Sequence, residues 1–348
     1  MSIVANTYDY VVGVDTHART HTYTLVETRT GAVIDTATFP TTSPGIARAM
    51  GWIRKRSTGT ILAAVEGTSS YGTSVVAAFT ANGIPVAEVR PPSRASRAQG
   101  GKSDAIDAQA AARSVIGQQM LKIGRPRATG DRMALRILLT SRSLMDQQRT
   151  ADRNALTALL RTVDLSVDAR KPLTDRQIKT IAKWRAQSNV DLVTGVGRAE
   201  AKRLALNILE RTVELEANHL LLGRCAEQMV PGFQNIPGVG PVTAAIIICA
   251  YSHVGRIHSE AAFAALGGVA PQPASSGNIN RHRLNRSGDR QLNRAFDIIV
   301  RTRMSFDTDT RAYVKNRLST GKTKREIRRS LKRYVCRSIY RQLQTLMA

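Results

Sequence analysis

Four carboxylates in this chain fall where local structure can make them converge. Asp15 closes the apolar run of the first predicted strand (GVDTH), and Glu66 closes the fourth (VEGTSS). Asp104 and Asp107 lie three residues apart, which places them on one face of a helix start with Cβ atoms about 5–6 Å from each other. Carboxylates gathered in this way repel one another unless a divalent cation screens them. Mg²⁺, a hard ion that prefers oxygen ligands, is the expected partner, with Mn²⁺ as its substitute. Two such ions roughly 4 Å apart clamp the attacking and leaving oxygens of a phosphodiester. Each acid alone also reads as a cap or a surface charge, and Asp104 as an N-cap. The inference is carried by the set of four.

Other segments favour phosphate. IPGVGPVTAAII, from Ile236 to Ile247, is a helix-hairpin-helix signature. Gly238 and Gly240 permit a tight turn whose N–H groups, with the next helix N-terminus, bind phosphate without reading sequence. An ordinary helix–helix turn is the plainer reading. A poorer copy, Thr194–Leu204 (TGVGRAEAKRL), is read as a turn. The basic loop Arg90–Asp104 carries Arg94, Arg97 and Lys102. The loop Pro271–Ala295 combines Ser275, Ser276, Ser287 and glycines with Arg281, Arg283, Arg286, Arg290 and Arg294. A serine beside Gly277 among guanidinium groups can act as a nucleophile toward phosphorus, although Ser-Gly is commonplace in loops. Lys322, Lys324, Arg328 and Arg329 stud the last helix. Its apolar positions Ile327, Leu331, Val335, Ile339 and Leu343 recur every four residues, leaving the other face for phosphate or solvent. The six histidines, His17 among them, show no metal spacing and read as structural or surface residues.

The elements that must position these groups alternate over residues 8–120. Strands are predicted at Tyr8–Val14, Thr20–Glu27, Ala32–Phe39, Thr60–Val65 and Ile84–Val89, with helices at Ser43–Lys55, Tyr71–Asn82 and Asp104–Val115. Three strands followed by helix, strand, helix, strand, helix is the order of an RNase H-like fold. Residues 131–163 read as a long helix suited to an antiparallel pairing with 197–221, with a short helix near Asp175–Arg185 between them. Beyond Pro231 come the hairpin signature, a helix at Glu260–Leu266, the serine loop, and two or three basic helices.

Composition sets the partner class. The 348 residues hold 51 Lys+Arg against 26 Asp+Glu, net +25, and 42% are hydrophobic, so the chain builds cores and seeks a polyanion. Residues 1–120 carry 11 basic and 8 acidic residues, net +3, whereas 267–348 carry 19 and 5, net +14. One end therefore grips phosphate while the other keeps its acids. Cys225, Cys249 and Cys336 are scattered, which argues against a zinc site or disulfide framework. No signal peptide or membrane span is read, and the expected setting is cytoplasmic.

In order, GVDTHARTH, VEGTSSYG, GKSDAIDAQAAAR, IPGVGPVTAA, GGVAPQPASSG and GKTKREIRRSLKR resemble the Piv/MooV-type DEDD transposases, the insertion-sequence family numbered one hundred and ten. The resemblance spans about Tyr10 to Leu343. It implies an α/β RuvC-like (RNase H-like) catalytic domain over 1–125 and an all-α coiled-coil arm over 126–230. A helical transposase domain with the hairpin and a catalytic serine loop follows over 231–348. It also implies Asp15, Glu66, Asp104 and Asp107 as catalytic metal ligands and Ser276 as nucleophile, with Gly277 settling the choice against Ser275. Ser69 departs from the glycine many relatives carry. Implied partners are double-stranded DNA, a structured guide (bridge) RNA, and further copies of the chain as a dimer or tetramer. Two other readings stand beside this one: a RuvC-like junction resolvase in which Ser276 is a bystander, and a catalytically silent nucleic-acid-binding protein.

Overall fold

Continuous apolar burial builds the sheet's centre, and alternation marks its edge. The computed structural model describes residues 2–90, 103–127, 130–188, 190–273, 282–283, 285 and 288–348, with no side-chain description at 273, 282 and 283. Ser276, Arg94, Arg97, Lys102, Arg281 and Arg286 lie outside the described residues, as does the side chain of Arg283. The chain divides into two compact units, Met1–Ala128 with His253–Ser259, and Thr129–Ser252 with Glu260–Ala348.

In the first unit, β1 (Tyr10–Thr16), β2 (Thr20–Glu27), β3 (Val33–Pro40), β4 (Ile61–Glu66) and β5 (Val86–Val89) form one mixed sheet in the order β3-β2-β1-β4-β5. The first pairs are antiparallel, and β1, β4 and β5 run parallel. This arrangement is compatible with an RNase H-like core. β1 and β4 are buried on both faces, as parallel central strands must be, and β3 alternates along the edge. On one face, Val12, Val14, Tyr23, Leu25, Ala63 and Val65 meet α1 (Ser43–Arg56) and α2 (Thr73–Ala81) through Ile53, Val75 and Phe79. On the other, Val11, Val26, Leu62, Ala64 and Ala87 meet α3 (Asp104–Ile116) through Ala111, Ala112 and Val115.

The second unit is helical. α4 (Asp131–Thr162) and α6 (Leu192–Met229) run antiparallel: Leu138 and Arg142 meet Leu215 and Asn218, while Leu156 and Leu160 pack with Ala201, Leu204 and Ile208. α5 (Asp175–Ala182), started by a Thr174–Gln177 capping box, adds Ile178 and Ile181 to that core. The turn predicted at Thr194–Leu204 is instead continuous helix. Asp191 caps α6 three residues earlier, and a Cβ on Gly197 would lie 3.3 Å from Val163 Cγ1, so this glycine serves close packing. Between the long helices the Asn218 side-chain N–H donates to Leu138 O at 3.0 Å, and Arg142 donates to Leu215 O at 2.9 Å. Asn218→Ala should therefore cost about 0.5–1.5 kcal/mol, because Leu138 O loses a side-chain donor in a part-buried seam; urea unfolding of the full chain checks it.

The remaining helices are α7 (Pro241–Tyr251), α8 (Glu260–Leu266), α9 (Arg290–Phe306), α10 (Thr308–Ser319) and α11 (Lys324–Leu346). Tyr251, Phe263, Phe296 and Tyr340 join α7, α8, α9 and α11 through aromatic contacts, and Tyr313 on α10 meets Tyr334 on α11. Cys336 is buried there, its thiol pushed up to about 12 by burial, and is packing material rather than a reactive group. β6 (Gln272–Pro273) pairs antiparallel with β7 (His282–Arg283), so the start of the serine loop lies beside its middle. Among the described residues no helix is long and apolar enough to cross a membrane.

Candidate functional site

Strand parity decides where the acids point. Asp15 follows Val11 and Gly13 on the α3-covered face of β1, and Glu66 follows Leu62 and Ala64 on the same face of β4. The two strands are parallel and in register to the pair Val14–Val65, so both carboxylates stand at one carboxyl edge. Thr16 Oγ1 donates to Glu66 O at 3.0 Å and ties the two strand ends. α3 delivers the other two acids, and Gly13 lets it come close enough. A Cβ on Gly13 would sit 1.9 Å from Ala108 O and 2.7 Å from Ala112 N. Helix and strand thus touch backbone to backbone, which brings the first turn of α3 over Asp15.

Asp104 is not the helix cap. Ser103 takes that role, its Oγ accepting the Ile106 N–H at 3.3 Å, which leaves Asp104 half-exposed and pointed at the strand end. Among the described residues, ligand atoms of Asp15, His17 and Asp104 all lie within 4.8 Å of one another. Asp107 and Glu66 are not members of that trio: Asp107 is buried one turn into α3 and acts electrostatically on Asp15, and Glu66 ends the strand paired with β1. Set among the six histidines, His17 shows no metal spacing and reads from sequence as a structural or surface residue. The informative signal was the Asp-x-His spacing at a strand end, which puts both side chains on one face.

The electrostatics ask for a cation. Burial raises the Asp15 pKa above the usual carboxylate range; His17 opposes this, while Asp104 and Asp107 raise it further. An anion buried beside two others is unfavourable, and a divalent ion with oxygen ligands relieves it. The carboxylates present therefore fit such an ion. The raised folded-state pKa also sets a pH dependence. Without metal, the contribution of protonated Asp15 to stability is fully present below the unfolded carboxylate pKa and is lost as pH rises through the higher folded value. In chelator, Asp15→Asn should accordingly raise the melting temperature at neutral pH and by less as pH falls, whereas carboxylates held low by folding, such as Asp35 and Glu260, weaken the whole chain on acidification. Thermal scans in chelator check both.

The candidate phosphate contacts are placed less uniformly. Gly238 has φ +80°, and a Cβ there would press on Ile299 O at 3.0 Å. Arg303 Nε donates to Pro237 O at 2.7 Å and braces the turn. The Gly240 N–H already donates to Thr243 Oγ1 at 2.9 Å. Arg290 opens α9 behind its Asp289 cap, and Lys322 and Lys324 flank the Thr323 cap of α11; all three are exposed. Arg328 is engaged with both oxygens of Asp297 at 2.6 Å. Arg329 lines a cleft of about 470 Å³ with Lys332, Arg333, Arg337, Val269 and Pro271. That basic cleft borders the segment leading into the serine loop.

Two family models match the chain. Residues 12–164 match the DEDD model of the IS110 type, described as a transposase, and residues 232–315 match the model described as Transposase IS116/IS110/IS902 family. The Insertion element IS110 uncharacterized 43.6 kDa protein of Streptomyces coelicolor is similar, 32% identical over 120 residues. That match covers 34% of this chain and 29% of the relative, so the chain matches well under two thirds of the relative's length.

Proposed function

Because the chain belongs to the IS110 family of DEDD transposases and carries that family's transposase domains, we propose that it cuts and exchanges DNA strands as a site-specific recombinase. The observation that carries this reading is the convergence of Asp15 and Asp104 at one carboxyl edge of the sheet, with Asp107 and Glu66 beside them. Asp15, Glu66, Asp104 and Asp107 would hold Mg²⁺ or Mn²⁺. Such an ion supplies polarisation of a phosphate oxygen and neutralises charge as phosphorus is attacked.

The nucleophile is Ser276, a reading supported by the GGVAPQPASSG resemblance and the basic residues that follow it. Its Oγ bonds to phosphorus as the bond to the leaving deoxyribose oxygen breaks, and the serine proton ends on that oxygen. The reverse step on a second DNA end completes exchange. The exposed Arg290, Lys322, Lys324 and Arg329 hold phosphates and orient the strand. The division of labour follows 1–125 for metal, 126–230 as an arm, and 231–348 for the serine and DNA. A serine supplied by another copy explains why the chain would act as a dimer or tetramer. A structured RNA pairing with donor and target DNA would choose the sites, as the family resemblance suggests.

A plasmid bearing the coding region with its flanking DNA tests this reading. Excision and insertion junctions should appear, and should vanish when the flanking noncoding segment is deleted. Junctions that persist without that segment would remove the RNA from the account, and no junctions in any form would remove recombination.

A further inference from the structure

His17 belongs to none of the four carboxylate positions, yet the fold aims it at two of them. Its Nε2 lies 3.0 Å from Asp15 Oδ2 and 3.5 Å from Asp104 Oδ1. Adjacent ligands around an octahedral ion with bonds near 2.1 Å stand about 3 Å apart. The nitrogen therefore occupies a separation from both oxygens that suits a shared ion, and a plain hydrogen bond to Asp15 would not require the approach to Asp104. The hairpin between β1 and β2 presents the ring. The His17 N–H donates to Thr20 O at 3.2 Å, fixing the backbone, and the side chain stays 50% exposed, so the ring reaches an ion without a large desolvation cost.

Building on the metal reading above, we infer that His17 Nε2 is a protein ligand to the divalent ion held by Asp15 and Asp104. The centre is then a mixed nitrogen-and-oxygen site rather than an all-oxygen one. An imidazole ligand moves preference away from Mg²⁺ and toward a transition ion such as Mn²⁺. It also gives the ion a ligand on the β1–β2 hairpin, independent of the α3 start that carries Asp104 and Asp107.

The test is pulsed electron paramagnetic resonance on the full chain with one equivalent of Mn²⁺, beside His17→Gln. Wild type should show the ¹⁴N coupling of a coordinated imidazole, absent in the variant. Mn²⁺ affinity should fall at least about tenfold in the variant, a scale reached even by residues one step removed from a metal, with a smaller loss for Mg²⁺. Mn²⁺ bound without ¹⁴N coupling in wild type would overturn the histidine ligand and leave the carboxylate reading standing. Failure to bind Mn²⁺ at all would overturn both. The wild-type spectrum decides the matter even if the variant folds poorly.

Discussion

Asp104→Ala is expected to abolish metal-dependent strand cleavage while leaving the fold intact. Its carboxylate is 53% exposed, and Ser103 rather than Asp104 caps α3. Alanine is a strong helix former at that first position. The stability lost is then the interaction of one acid with the helix dipole, about 0.3–1 kcal/mol, together with a half-exposed contact to His17 that adds little. Activity behaves differently, because Asp104 faces Asp15 across the candidate metal position. Removing one preorganised electrostatic partner from a catalytic centre costs on the order of a hundredfold or more. Single-turnover cleavage of end-labelled DNA, run beside thermal melting, separates the two effects. Cleavage within a few-fold of wild type would show that Asp104 is an ordinary surface acid.

Gly13→Val should be as damaging without touching a ligand. Any side chain at this position drives into Ala108 O and Ala112 N, both backbone atoms that cannot rotate away. α3 must lift from β1, uncovering Ala111, Ala112 and Val115 of the second core. Overpacking of this kind costs on the order of 3 kcal/mol. Lifting α3 also withdraws Asp104 and Asp107 from Asp15, so the variant should lose divalent-ion affinity with all four carboxylates present. Urea unfolding and Mn²⁺ titration measure the two losses. An unchanged midpoint would mean that α3 does not dock as closely as the Gly13 contact requires.

Local signals suffice to put each acid at an element end. Strand ends at Asp15 and Glu66, and the spacing of Asp104 and Asp107, are properties of short segments, and the sheet order that brings them to one edge follows from the alternation of elements. Boundaries moved little where apolar periodicity was strong: β1 runs two residues beyond Val14, so Asp15 sits within the strand. What escaped was non-local or ambiguous. The role of Gly13 depends on a helix nearly a hundred residues away, and no pattern around it announces that approach. Gly195 and Gly197 read as a turn because glycine permits both a turn and tight helix packing, and the Asp191 cap together with Val163 decides between them. His17 needed strand parity rather than a histidine count. Arg328 reads as a free cation from its basic helix, yet Asp297, thirty-one positions earlier, claims it.

The central claim is that a carboxylate-held metal and Ser276 act on one phosphodiester. The most direct measurement incubates purified full chain with Mg²⁺, end-labelled cognate DNA and its flanking RNA, then looks for a protein–DNA adduct that survives SDS. Wild type should form it, and both Ser276→Ala and Asp104→Ala should not. Cleavage without an adduct, retained in Ser276→Ala and lost only in Asp104→Ala, would contradict the account and make the chain a metal-dependent nuclease.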